Sequence, residues 1–290
     1  MKKIKNNING WLVVNKPKDW GSTDVVSKTR HIFNAAKNGH CGTLDPFATG
    51  VLPIAFGEAT KLIEYVMNGK KRYEFIVEFG KQTNTDDLTG EVIASCDKIP
   101  STEEIITAIP NFIGKIKQVP SKFSAIKING QRAYDLARAG KEVDIPEREV
   151  EIYSLELLNT PAPNQAHMSV ECSKGTYVRT LAKDLAESLN SLGHLVMLNR
   201  TQTGVFNIDE AIKIEDINSE TPLIDITRTL NFMPEIIVSE EDAIKLKHGQ
   251  GLSPKAYNLN DEGYATYNNK LIAIIKNDGR KIAPVKVFNL

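Results

Sequence analysis

Residues 39–57 carry a single carboxylate, Asp45, which lies among glycine, proline and small hydroxyl residues, and the next acid is Glu58. Gly42 and Gly50 on either side permit backbone conformations that other residues avoid. Pro46 disfavours a helical conformation at Asp45, so we expect the carboxylate to lie at a turn. A lone carboxylate held in this way suits a nucleophile, although an aspartate that only caps a turn has the same signature.

Two other short segments combine residue types that serve catalysis or RNA binding. Residues 174–180, KGTYVRT, begin a predicted helix with Tyr177 and Arg179 near its start. A helix N-terminus favours anions, and an arginine there can pair with a carboxylate from another loop. In residues 70–73, KKRY, basic side chains precede Tyr73, an arrangement that can hold a phosphate backbone and stack a base. The alternatives are a surface arginine with a core tyrosine, and the solvated start of a strand.

The composition is that of an ordinary globular protein. Of the 290 residues, 41% are hydrophobic and 25% are charged, and no apolar run reaches the roughly 18 residues of a membrane span. The net charge of zero argues mildly against a nucleic-acid partner, but basic residues gather in the N-terminal third and leave room for a basic face. Three cysteines without CxxC spacing argue against a disulfide framework or a zinc site and fit a reducing cytoplasm.

Hydrophobic patterns predict an α+β fold, because strands outnumber helices and do not alternate strictly with them. We expect a mixed, mostly antiparallel central sheet flanked by helices and loops. The predicted strands are residues 11–14, 51–56, 73–79, 91–96, 150–158, 168–172 and 195–198. The predicted helices are one capped by Ser22 or Thr23 and those at residues 58–67, 101–109 and 176–192.

Two stretches differ from this pattern and divide the chain. Residues 119–145 contain a predicted strand at 124–128, a hairpin-type turn at 129–130 and a predicted helix at 131–139, and we interpret them as an insert. Beyond residue 235, a short helix at 240–247 precedes short strands at 264–267, 271–275 and 282–288, which is typical of a small β-rich module. We therefore predict a large domain over residues 1–234 and a small module over residues 235–290.

Together these segments resemble the tRNA pseudouridine-55 synthases of the bacterial TruB type. The resemblance runs in order through residues 8–210 and is highly specific, whereas the C-terminal part is only weakly similar to the short PUA-like module of that family. It rests on NG (9–10), NKP (15–17), HCGTLDPFATG (40–50), GEATK (57–61), KRY (71–73), Asp86, VPS (119–121), SA (124–125), KGTYVR (174–179) and LNR (198–200).

The resemblance implies the pseudouridine synthase fold and the isomerisation of uridine 55 in the T-loop of tRNA. Asp45 would act at the ribose, either by forming an ester at C1′ or by taking a proton from C2′, and the residues do not choose between these routes. Arg179 would keep Asp45 charged against the effect of burial. The other implied roles are uracil stacking and C5 proton relay for Tyr73, contact with the everted nucleotide for Tyr177, stacking in place of the departed base for His40, a backbone contact to uracil for Leu198, and support of the Asp45 loop for Lys16.

The implied reaction oxidises nothing and loses no group, so no cofactor or metal is expected. The sequence also contains no P-loop, dinucleotide-binding fingerprint or His/Cys cluster. The implied partner is the T-arm of tRNA, gripped by the insert and the C-terminal module, and we expect a cytoplasmic monomer. Two other functions remain open. A hydrolytic N-glycosylase would need a second acid, which these motifs do not supply, and a non-catalytic RNA-binding protein would use Asp45 only as a turn cap.

Overall fold

The computed structural model describes residues 4–122, 127–128, 131–132 and 145–290. The helices in this part of the chain are α1 (Ser22–Ile32), α2 (Ile63–Asn68), α3 (Thr102–Ala108), α4 (Val178–Ser188) and α5 (Glu240–Lys247). The strands are β1 (Gly10–Lys16), β2 (Asn38–His40), β3 (Thr49–Phe56), β4 (Lys71–Phe79), β5 (Lys81–Thr83), β6 (Val92–Ser95), β7 (Gly114–Gln118), β8 (Lys127–Ile128), β9 (Gln131–Arg132), β10 (Arg148–Asn159), β11 (Gln165–Cys172), β12 (Gly193–Thr203), β13 (Phe206–Asn207), β14 (Ile212–Lys213), β15 (Glu235–Ile237), β16 (Glu262–Tyr267), β17 (Lys270–Asn277) and β18 (Ile282–Val287).

One large mixed sheet forms the centre of the molecule. Its strands lie in the order β14-β1-β3-β12-β4-β11-β10-β7, with β2 paired to β3 and β13 paired to β12. Two of these pairings, β1 with β14 and β3 with β12, are parallel, and the others are antiparallel. This arrangement confirms the predicted α+β fold with a mostly antiparallel central sheet.

The sheet is covered on both faces where β1 and β3 lie. Leu12 and Val14 point into a core that includes residues of α1 and α4, whereas Trp11 and Val13 point into a second core that includes Phe288. Burial on both faces explains why β1 is apolar without alternation. By contrast, β4 alternates buried and partly exposed residues, as expected for a strand with one covered face.

A second sheet, in the order β15-β16-β17-β18, lies at the C-terminus with α5. It has its own core, which contains Ala265 and Ile275, and it docks on the large sheet by burying Phe288 completely. At this junction Lys61 Nζ donates to the Val287 carbonyl at 2.7 Å, and Tyr65 Oη donates to Glu262 Oε1 at 3.1 Å. The C-terminal β-sheet module predicted from the sequence is thus present and packed against the rest of the chain.

Several predicted elements differ in extent from the structure. The helix predicted at 58–67 is a 3₁₀ helix, Gly57–Leu62, followed by α2, because Leu62 has a non-helical backbone between the two. The helix predicted at 176–192 is shorter, since Tyr177 is extended and Asn190 has a positive φ of 56° that ends the helical course.

The insert is described only in part. Lys127–Ile128 and Gln131–Arg132 form a two-stranded antiparallel ladder, so the helix predicted at 131–139 is a strand at its first two residues. The rest of that helix, the turn predicted at 129–130 and residues 124–126 of the predicted strand lie outside the described residues. No helix in the described ranges is long and apolar enough to cross a membrane.

Candidate active site

A cavity of about 850 Å³ opens where the Asp45 loop, the end of α2, β4, β10, the start of α4 and β12 meet. Five of the seven predicted site residues line it: Asp45, Tyr73, Tyr177, Arg179 and Leu198. Other side chains at its wall are Lys71, Arg148 and Arg200. Residues that are up to 155 positions apart in the chain therefore share one space, because β4 and β12 are neighbours in the large sheet and α4 packs beside them.

Lys16 lies beneath the Asp45 loop rather than in the cavity. Its fully buried Nζ donates to the carbonyls of Pro17, Trp20 and Pro46 at 2.9, 2.6 and 3.1 Å. Burial lowers the pKa of Lys16 to about 8, and the nearby Asp45 carboxylate opposes that change. Lys16 thus fixes the carbonyl next to Asp45 and adds a positive charge behind the loop.

Arg179 holds Asp45 from the other side. The Arg179 Nε lies 3.0 Å from Asp45 Oδ2, and its Nη1 donates to the Thr85 carbonyl at 3.0 Å and to Asp87 Oδ2 at 3.4 Å. The Arg179 side chain is 5% exposed, whereas that of Asp45 is 34% exposed. One buried guanidinium therefore bridges two carboxylates, of which only Asp45 faces the cavity.

Asp87 is a residue of this site that the sequence reasoning missed. Its Oδ1 accepts hydrogen bonds from Thr85 Oγ1, the Thr89 backbone N–H and Thr89 Oγ1 at 2.8, 2.9 and 2.6 Å. Its side chain is nearly fully buried and fixed before it meets Arg179. The resemblance pointed to the neighbouring Asp86, and the run of polar residues at 82–90 gave no sign of which acid turns inward.

The charge state of Asp45 results from opposing effects. Burial raises the pKa of its carboxyl above the ordinary value, Arg179 and Lys16 lower it, and the like charge of Asp87 raises it again. Burial prevails, so the pKa of Asp45 lies above its usual range. Arg179 is the largest influence that opposes burial, as the predicted pairing requires, but it does not outweigh burial.

Tyr73 and Arg200 face each other on neighbouring strands. They are direct register partners of β4 and β12, and Arg200 also donates from Nε to the Val51 carbonyl at 2.8 Å and from Nη2 to the Gly42 carbonyl at 3.1 Å. Burial raises the pKa of the Tyr73 hydroxyl, and Arg200 opposes that rise. Arg200 thereby ties the tyrosine strand to the loop that carries Asp45.

The remaining predicted residues lie at the edges of this site. Leu198 is 7% exposed and supplies an apolar wall, and Tyr177 stands half-buried immediately before α4. His40 lies in β2, just before the loop, and does not line the cavity. Burial lowers the pKa of its ring, and its buried Nδ1 has no hydrogen-bond partner among the described residues. Cys41 is fully buried, and burial raises the pKa of its thiol to about 12, which disfavours the reactive thiolate.

The described part of the chain contains no group of three or more His, Cys, Asp or Glu side chains arranged to hold a metal ion. Apart from Glu147 and Glu149, whose carboxylates pair with lysines, the cavity offers one partly exposed carboxylate supported by two cations, an aromatic hydroxyl, a second aromatic ring and an apolar wall. These groups suit nucleophilic or proton-transfer chemistry on a planar substrate that stacks between aromatic and apolar side chains.

Known proteins resemble the chain along nearly its whole length. The family model described as "TruB family pseudouridylate synthase (N terminal domain)" matches residues 30–178. The tRNA pseudouridine synthase B of Agrobacterium fabrum is 45% identical over 97% of this chain and 95% of its own length. The tRNA pseudouridine synthase B of Chelativorans sp. is 42% identical over 100% of this chain and 98% of its own length.

Solved structures share the fold at lower identity. A chain of an H/ACA ribonucleoprotein bound to a substrate RNA containing 2′-deoxyuridine gives a TM-score of 0.74 at 20% identity and covers 97% of this chain and 85% of that one. A chain of a Cbf5-Nop10-Gar1 complex gives 0.73 at 22% identity, over 97% and 84%. On the family model and the full-length relatives together, the chain belongs to the TruB family of pseudouridylate synthases, and the fold predicted from the sequence is confirmed.

Proposed function

We propose that this protein isomerises uridine in tRNA to pseudouridine, that the target is uridine 55 in the T-loop, and that Asp45 is the nucleophile. The observation that carries the proposal is the 3.0 Å ion pair between Asp45 and the buried Arg179 at the wall of the cavity. A space of about 850 Å³ accommodates one everted nucleotide. The choice of tRNA is supported by relatives 40–45% identical that are named tRNA pseudouridine synthase B.

The reaction breaks the N1–C1′ bond of uridine, turns the uracil while it stays bound, and joins C5 to C1′. Ionised Asp45 either bonds to C1′ or accepts the C2′ proton, and either route restores the free carboxylate at the end. The proton on C5 then leaves, and Tyr73 relays it; burial raises the pKa of Tyr73 and keeps its hydroxyl protonated, ready to exchange one proton for another. N1, released from the sugar, gains a proton as C5 loses one, so the product is an isomer of uridine and nothing is oxidised or reduced.

Eversion of the uridine from its stack costs a few kcal/mol. A base stacked on an aromatic side chain recovers about 1–3 kcal/mol, and Tyr73 and Tyr177 are the aromatic rings at the cavity wall. Leu198 closes the apolar side of the space, with its backbone available to the uracil edge. These residues therefore favour the everted base over the stacked base before chemistry begins.

The rival functions fit the cavity less well. A hydrolytic N-glycosylase needs a second carboxyl group to expel the base or activate water. Glu147 and Glu149 line the cavity, but they pair with Lys117 and Lys115 at 2.9 and 3.1 Å, and Asp87 is held by Arg179. A protein that only binds RNA would have no need to keep a partly exposed carboxylate between two buried cations, which costs desolvation energy.

The test uses a tRNA transcript with tritium at C5 of uridine 55, since isomerisation releases that label to water. We expect wild-type protein to release the label and to leave pseudouridine at that position alone in a position-resolved map. Asp45→Asn should abolish release while RNA binding survives, because the amide keeps the shape of the carboxyl group but cannot act as nucleophile or base.

Asp184→Asn is the matched control. Asp184 is a half-buried carboxyl group on α4 whose pKa is raised to about 6 by burial, but it does not line the cavity, so its variant should retain turnover. Free uracil instead of pseudouridine would establish the hydrolase. Full label release by Asp45→Asn, or pseudouridine at another position, would contradict the proposed nucleophile or the proposed target.

A further inference from the structure

Two residues at the neck of the insert are joined to the candidate active site. Gln118 ends β7 and Arg148 begins β10, so they lie at the two points where the chain leaves and rejoins the large sheet around residues 119–147. They are direct register partners in the antiparallel ladder. Partners in a ladder point to the same face of a sheet, and this face carries Tyr177.

Gln118 fixes the backbone of Tyr177. Its side chain is 1% exposed, its Oε1 accepts from the Tyr177 N–H at 3.0 Å, and its Nε2 donates to the Tyr177 carbonyl at 3.3 Å. Both backbone groups of the residue before α4 are thereby held by one amide. Arg179 follows two residues later, so this clamp also sets the start of the helix that presents Arg179 to Asp45.

Arg148 covers the ring of Tyr177. The guanidinium carbon lies 5.7 Å from the ring centre, within the range of a cation–π contact. The side chain is half-buried and lines the cavity with Asp45 and Tyr73, yet its buried Nε has no hydrogen-bond partner among the described residues. A buried donor of a charged group without a partner is costly, so this N–H is available to an acceptor that enters the cavity.

The acidic neighbours of Arg148 do not supply that acceptor. Both Glu147 and Glu149 reach the cavity wall, but each carboxylate pairs with a lysine. Glu147 pairs with Lys117 at 2.9 Å, and Glu149 pairs with Lys115 at 3.1 Å. In the described part of the chain no carboxylate forms an ion pair with Arg148, so its positive charge is available to a ligand in the cavity.

We propose that Arg148, stacked on Tyr177, binds a backbone phosphate that flanks the everted uridine. This inference rests on the proposed function, since it assumes that the cavity takes a nucleotide of RNA. Phosphates are the charged groups of such a nucleotide, and the planar guanidinium matches a phosphate with two parallel N–H donors. Arg148 is thus a positioning residue: it holds the nucleotide's backbone while Asp45 works at the sugar.

The first experiment measures RNA binding and its dependence on salt. In an Asp45→Asn background, which prevents turnover, we expect Arg148→Gln to raise the Kd for a T-arm hairpin about tenfold or more. The slope of log Kd against log salt should become shallower by about 0.7–0.9, the loss of one phosphate contact. Arg148→Lys should keep most of the slope, because it keeps the charge, and lose part of the affinity.

Arg228→Gln serves as the matched control. Arg228 is a surface arginine that pairs with Glu210 at 3.6 Å and does not line the cavity. Its removal should therefore change the Kd by less than twofold and leave the salt slope unchanged within experimental error. Equal effects of the Arg148 and Arg228 variants would show that total charge matters rather than a built contact, and would overturn the proposal.

The second experiment locates the phosphate. Hairpins are synthesised with a neutral methylphosphonate on the 5′ or on the 3′ side of the target uridine. One of the two methylphosphonates should raise the Kd of the protein that retains Arg148 about tenfold. The same methylphosphonate should change the Kd of Arg148→Gln little, which is the coupling expected of a direct contact. If neither position couples to Arg148, the assignment is wrong.

Turnover separates this inference from the proposed function. With the intact nucleophile, Arg148→Gln should still produce pseudouridine, with KM raised more than kcat is lowered. A variant that binds RNA normally but loses kcat would refute a phosphate contact. If even the wild-type protein forms no pseudouridine, the proposed function fails, whereas the salt slope and the methylphosphonate coupling still report whether Arg148 binds RNA.

Discussion

Removal of the guanidinium beside Asp45 should shift the pH dependence of the enzyme in a predictable direction. Arg179→Met deletes the charge that lies 3.0 Å from Asp45 Oδ2 and leaves the like charge of Asp87 in place. The pKa of Asp45 is already raised by burial, and Arg179 is the largest opposing influence. In the proposed mechanism Asp45 reacts only when ionised, so activity is expected above its pKa and is lost as the pH falls through it. A higher pKa therefore moves the acid limb of the rate profile to higher pH.

The size of the shift follows from the geometry. Two unit charges about 4 Å apart attract by about 4 kcal/mol at an effective dielectric constant of about 20. Because 34% of the Asp45 side chain is exposed, solvent screening reduces this attraction to roughly half. Each pKa unit corresponds to about 1.4 kcal/mol, so Arg179→Met should raise the pKa of Asp45 by roughly 1.5 units.

The assay is tritium release from labelled tRNA under kcat/KM conditions across the pH range in which circular dichroism shows a folded protein. Arg179→Lys is the matched variant: it retains the charge, so its acid limb should move by less than about 0.5 pH units. Its plateau rate should still fall, because an ammonium cannot bridge Asp45, Asp87 and the Thr85 carbonyl as the guanidinium does. An unshifted limb in Arg179→Met, or equal shifts in both variants, would refute the electrostatic reasoning.

Three further predictions concern the scaffold of the site, with urea unfolding as the measurement. Lys16→Met leaves three carbonyls at the Asp45 loop without their donor and should cost about 2–4 kcal/mol of unfolding free energy and at least tenfold in turnover; unchanged turnover would contradict a supporting role. Gly50→Ala should lower the free energy of unfolding by more than about 3 kcal/mol, since the new Cβ would lie 2.3 Å from a backbone oxygen of β12. Gly114→Ala, at a similar φ but with open space around it, should lower it by about 1–2 kcal/mol. Equal losses in the two variants would show that backbone strain alone decides. Phe288→Ala should cost about 3–5 kcal/mol and loosen the C-terminal module, while Ile237→Ala, 76% exposed, should cost little; a small effect of Phe288→Ala would mean that the module is held by its polar contacts.

The sequence predicted the site residues whose neighbours are unusual. Asp45 lies among Gly42, Pro46 and Gly50, and the motifs of residues 70–73 and 174–180 pair basic with aromatic residues. Such local chemistry, together with resemblance to a known family, was enough to name five side chains that line one cavity. The sequence also predicted a mostly antiparallel sheet correctly, since the periodicity of a strand depends on a few neighbouring residues.

What the sequence did not predict depends on contacts between distant parts of the chain. Asp87 meets Arg179 across 92 positions, and nothing within residues 82–90 distinguishes the acid that turns inward. The strand Gly114–Gln118 was missed because it lies at the edge of the sheet and carries a single large apolar residue, Ile116. Its importance is visible only once Gln118 is seen to hold Tyr177.

The parallel contact between β3 and β12 explains how the Asp45 loop, Tyr73 and the cavity wall keep a common geometry. The two strands meet over just two register pairs, Asn199 with Thr49 and Arg200 with Gly50. Gly50, with a φ of 102°, lets the backbones approach closely enough for Arg200 to reach the Gly42 and Val51 carbonyls. Because Arg200 is also the register partner of Tyr73, a displacement of the Asp45 loop must disturb Tyr73 as well. Gly50 therefore helps to fix the distance between Asp45 and Tyr73, the two groups that act on the sugar and on the C5 proton in the proposed mechanism.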